Sequence, residues 1–62
     1  MKLKTIRESK ALTQAQLSAR SGVSLRMIQH YEQGQKDLSK AQYRTLKKLA
    51  EALDVTIDEL LE

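Results

Sequence analysis

LTQAQLSARSGVSLRMIQHYEQG, residues 12–34, decides how this chain folds. Its glycines, Gly22 and Gly34, are the only two in the sequence. Each stands where a run of helix-spaced apolar residues stops, and glycine takes the left-handed conformation that closes a helix at no steric cost. Thr13 precedes the first run and Ser24 the second. A short hydroxyl side chain there accepts a hydrogen bond from an orphan amide of the first helical turn. Only Gly22-Val23-Ser24 separates the two runs. So short a connection brings two helices together at a steep angle, which is a helix-turn-helix.

The same helix start recurs along the chain. LTQAQL, VSLRMI, LSKAQY and VTIDEL each read apolar, then Ser or Thr, then three residues, then apolar or aromatic. Thr13, Ser24, Ser39 and Thr56 supply the hydroxyls, and Gln16, Gln42 and Glu59 stand three positions on, where they complete a capping box. Met27 takes that place in the second string, so its box is absent. With no proline and no alternating strand pattern, the reading is helix throughout. Five helices are predicted, at 2–9, 14–21, 25–33, 40–53 and 57–61. The first buries Leu3 and Ile6; the second buries Leu17, Ala15 and Ser21. The fourth carries an apolar stripe at Tyr43, Leu46, Leu49, Ala50 and Leu53, and Asp54 stands in for glycine at its end. The fold class is all-α, a compact five-helix bundle forming one domain over 1–62.

Composition excludes several function classes. The 62 residues include no cysteine and one histidine, which leaves no disulfide and no histidine or thiolate metal cluster. No apolar run exceeds two residues, so neither a membrane span nor a signal peptide is expected. The expectation is a soluble, cytoplasmic protein of a prokaryotic cell or phage, with no cofactor and no small-molecule ligand. It is not expected to be an enzyme: a lone His30 and scattered serines form no catalytic constellation. Charge is unevenly spread. Residues 1–50 hold all 11 Lys and Arg against three acids, a balance of +8, while residues 51–62 hold five acids and no base. A basic body suits a polyanionic partner.

The third helix shows which partner. On a wheel of about 100° per residue, Leu25, Gln29, Gln33, Arg26 and His30 share one side, and Ile28, Tyr31, Met27 and Glu32 the other. The first side has no acid. Arginine bonds a guanine edge through two donors, glutamine does the same with adenine, and a leucine or methionine touches a thymine methyl. This is the chemistry of the DNA major groove, and a helix-turn-helix places its second helix there.

These residues carry a resemblance. The stretch from Leu12 to Gly34, with the ALDVTIDELLE ending, resembles the phage repressor and Cro helix-turn-helix family, also called XRE, over nearly the whole chain. The matched elements are Leu12-Thr13-Gln14, Leu17, Gly22-Val23-Ser24, Ile28 and Glu32-x-Gly34. The resemblance implies a lambda-repressor-like DNA-binding domain and a transcriptional regulator, a repressor, acting on double-stranded DNA. It implies that Leu25, Arg26 and His30 read bases with Met27 and Gln29 beside them. It implies that Gln14 touches a phosphate and braces the start of the third helix, and that Thr13 and Ser24 also meet the backbone. Arg7 and Glu32 fall at a pair that forms an internal salt bridge in the family. Gln33, Gln35, Lys36 and Lys40 are further candidates for phosphate contact. Leu25 departs from the glutamine or serine of familiar phage repressors, which favours thymine-methyl contact at that position. No second domain for ligand sensing or self-cleavage is expected. A homodimer on a palindromic operator is expected, with Val55, Ile57, Leu60 and Leu61 of the fifth helix as candidate dimer surface. The competing reading is a helix-turn-helix fold used as a protein-interaction or dimerisation module; retention of Arg26, Gln29 and His30 argues against it.

Overall fold

The computed structural model describes residues 2–62. Five α-helices follow in order: α1 (Lys2–Ser9), α2 (Gln14–Ser21), α3 (Leu25–Glu32), α4 (Tyr43–Leu53) and α5 (Ile57–Leu61), with a 3₁₀ turn at Leu38–Lys40 between α3 and α4. No described helix is long and apolar enough to cross a membrane. The domain measures 24 × 22 × 19 Å. α2 packs on α3 and α4, and α1 packs on α3 and α5. One apolar core runs through all five helices, with Leu3, Leu17, Ile28, Leu49, Leu53 and Leu60 at its centre.

Three of the four helix starts form as the strings predict. Thr13 Oγ1 accepts from the Gln16 N–H at 3.0 Å, and Gln16 Oε1 accepts from the Thr13 N–H at 2.9 Å. Thr56 and Glu59 close the same box at 3.0 Å in both directions. Ser24 caps α3 alone. Helix ends obey left-handed geometry: Gly22 closes α2 at φ +77°, Asp54 closes α4 at φ +57°, and Gly34 follows the Gln33 cap of α3 at φ +80°.

The remaining string, LSKAQY, does not start an α-helix. Asp37 is the cap there: its Oδ1 accepts from the Ser39 N–H at 3.0 Å and from the Ser39 hydroxyl at 2.7 Å. A carboxylate two residues upstream captures the hydroxyl that would have capped a helix. One 3₁₀ turn follows and buries Leu38; the chain extends at Ala41 and Gln42, and α4 begins at Tyr43 instead of residue 40. Gln42 makes no side-chain cap. Tyr43, expected in the apolar stripe, is 67% exposed, because Leu38 is the residue from this segment that enters the core. Ala15 is exposed and Ile6 half-buried. α3 stops at Glu32, with Gln33 as its cap, one residue short of the expected end.

Candidate nucleic-acid interface

The corner between α2 and α3 is fixed by hydroxyls. Val23 is buried, and the Ser21 hydroxyl accepts from its N–H at 3.0 Å. The Ser18 hydroxyl donates to the Val23 carbonyl at 2.7 Å. Both polar groups of the corner residue are therefore satisfied by side chains of α2, as a buried backbone requires. Ser18 is a structural residue of the corner that the sequence reading missed; its signal is a serine five positions before a corner valine. Ser24 then opens α3, its oxygen accepting from the Met27 N–H at 3.1 Å. The hydroxyl proton of Ser24 remains available to a second acceptor.

The outer side of α3 begins where the corner releases it. Leu25 is 39% exposed and lies outside the core. Arg26 beside it is exposed, with no hydrogen-bond or ion-pair partner among the described residues. Gln29 and His30 are half-buried and Gln33 is exposed. Met27, expected beside the base readers, is half-buried and packs against the core, the side its wheel position favours.

The one acid of α3 is withdrawn from this face. Glu32 Oε2 accepts from Arg7 Nε at 2.7 Å and Glu32 Oε1 from Arg7 Nη2 at 3.1 Å, a two-pronged ion pair between side chains 9% and 3% exposed. Arg7 Nη1 also donates to the Leu12 carbonyl at 2.7 Å, tying in the turn before α2. Burial alone would push the Glu32 carboxyl up; hydrogen bonds from Arg7 and Gln14, with the charges of Arg7 and Lys4, more than offset it and hold its pKa below the ordinary value. The hydrogen bond to Glu32 outweighs burial at Arg7 and raises its pKa.

Gln14 is the third member of that group. Its Nε2 donates to Glu32 Oε1 at 2.9 Å. The expected brace to the start of α3 is corrected: the bond goes to the last residue of α3, since the Leu25 side chain has no hydrogen-bonding group and the Glu32 side chain does. Gln14 is half-buried.

The remaining candidates lie outside α3. Thr13 is exposed at the amino end of α2. Beyond Gly34, the Gln35 and Lys36 N–H groups both donate to the His30 carbonyl, at 2.9 and 3.3 Å, so this turn folds back onto the end of α3. Gln35, Lys36 and Lys40 are exposed. Of the dimer candidates, Leu60 is corrected: it is fully buried and belongs to the core. Val55 and Ile57 are half-buried against that core, and Leu61 is exposed.

A protein-family model described as Helix-turn-helix matches residues 3–60. No curated protein and no solved structure gives a significant match to the chain.

Proposed function

The chain belongs to the Cro/C1-type helix-turn-helix family (XRE) of DNA-binding transcription regulators, and we propose that it is a sequence-specific repressor whose α3 enters the major groove. The observation that carries this is Arg26 standing exposed, with no partner among the described residues, beside exposed Leu25, on a helix whose one acid is turned inward and neutralised by Arg7. Arg26 donates twice to a guanine edge, Leu25 covers a thymine methyl, and Gln29 and His30 read the neighbouring bases. Gln14, Thr13, Ser24, Gln33, Gln35, Lys36 and Lys40 meet phosphates and set the register without reading sequence. The free amides at the amino end of α2 favour a phosphate there, since the end of a helix dipole is positive.

One copy is too small to read an extended operator. Its longest dimension is 24 Å, less than the ~34 Å between successive major-groove faces on one side of DNA. Two copies related by a two-fold axis read a palindrome with that spacing, and the dimer multiplies a weak single-module affinity. Exposed Leu61, with the outer edges of Val55 and Ile57, supplies apolar surface for the contact.

Selection of bound duplexes from a random pool tests the reading. The expected result is an enriched inverted repeat of short half-sites with centres about one helical turn apart. Recovery of DNA with no shared sequence overturns base reading; recovery of single half-sites overturns the dimer.

A further inference from the structure

We propose that Glu32 is a positioning residue for DNA binding, acting through Gln14, beyond its part in the ion pair with Arg7. This rests on the reading of Gln14 as a phosphate contact. Glu32 has two acceptor oxygens and three donors on them: Arg7 Nε on Oε2, and Arg7 Nη2 with Gln14 Nε2 on Oε1. A glutamine side chain at the amino end of a helix ordinarily samples many rotamers, and ordering one at an interface opposes binding. Here that ordering is complete before DNA arrives. The carboxylate takes one Nε2 proton and leaves the second N–H of this half-buried residue in one orientation. Arg7 holds the carboxylate from α1 and the Leu12 carbonyl from the turn before α2. The position of Gln14 is thus set by α1, α3 and the turn together. The side chain of Leu25, the first residue of α3, offers Gln14 no hydrogen bond, which leaves Glu32 as its partner.

A double-mutant cycle on DNA affinity tests this. Wild type, Gln14→Ala, Glu32→Gln and the double variant are titrated against a mixed-sequence duplex of ~30 base pairs, about three helical turns. A mixed-sequence duplex suffices because phosphate contacts are independent of sequence. Glutamine at 32 leaves one acceptor oxygen for three donors, and its loss of charge affects both backgrounds alike. The expected result is that Glu32→Gln weakens binding about 2- to 10-fold more with Gln14 present than with alanine there. Equal effects in both backgrounds overturn the positioning role and leave DNA binding intact; absence of binding by wild type overturns both readings.

Side-chain amide relaxation in the unaltered protein gives a readout that survives a variant failing to fold. The Gln14 Nε2 group is expected to be nearly as rigid as backbone, with an order parameter near about 0.85, while Gln35 falls below about 0.6. The Gln14 resonances are also expected to shift on adding the duplex. A Gln14 amide as mobile as that of Gln35, or one unmoved by DNA, overturns the proposal.

Discussion

At the junction of α1, α2 and α3, a guanidinium, a carboxylate and a carboxamide hold the helices at fixed distances. Across α4 and α5 the same task falls to Leu46, Leu49, Leu53 and Leu60, with no polar group among them. Apolar packing is non-directional and tolerates small rotations. A two-pronged arginine–carboxylate pair fixes orientation as well as distance. At the first junction the directional contacts are added to the apolar packing of Leu3, Leu17 and Ile28, while α4 and α5 are closed by leucine packing.

The comparison breaks first at Arg7. Arg7→Ala leaves a buried carboxylate without its partner and is expected to lower stability by about 3–5 kcal/mol. Replacing both members, Arg7→Met with Glu32→Leu, is expected to recover most of that loss in denaturant unfolding. A single variant as stable as wild type would show that the polar junction contributes no stability. On the apolar side, Leu49→Ala is expected to lose about 2–5 kcal/mol through lost burial and a cavity, with no change in how stability depends on pH.

Acid sharpens the contrast. Glu32 has a lower pKa folded than unfolded, so the folded state binds fewer protons in the acid range. The stability this supplies is complete above the ordinary glutamate value of about 4.3 and is lost as pH falls through the depressed folded value. Thermal melts should therefore show a falling acid limb in wild type and in Leu49→Ala, and a shallower one in Glu32→Gln. Some limb persists, because Asp37, bonded by Ser39, and Glu59, bonded by Thr56, are lowered too. An unchanged limb in Glu32→Gln would remove Glu32 from the account.

The smallest effect lies in the turn that Arg7 grips. Ala11 has φ +58°, a left-handed conformation that is unfavourable for a residue with a Cβ. Ala11→Gly relieves that strain but gains freedom in the unfolded chain, so a net stabilisation of about 0.5–1 kcal/mol is expected. Destabilisation would show that the methyl group is worth more than the strain.

Sequence made local events legible and distant ones obscure. Thr13 with Gln16, Thr56 with Glu59, and the glycines after α2 and α3 act within a turn of themselves, so spacing alone identifies them. Ser39 misled because Asp37, two residues away, competes for the same hydroxyl, and pattern does not show which cap prevails. Tyr43 misled because its stripe position was defined by a helix that starts later. The bond from Gln14 to Glu32 joins residues 18 apart and depends on where α3 ends relative to α2. Nothing local records it. The outer side of α3 was readable because helical periodicity alone separates Leu25 and Arg26 from Ile28 and Tyr31.

Arg26→Ala, measured on the selected operator and on mixed-sequence DNA, tests the role of α3 most directly. Base reading by Arg26 predicts a loss of about 1–3 kcal/mol on the operator, a smaller loss on mixed sequence, and relaxed preference at one base pair. Equal losses on both duplexes, with the base preference unchanged, would contradict it.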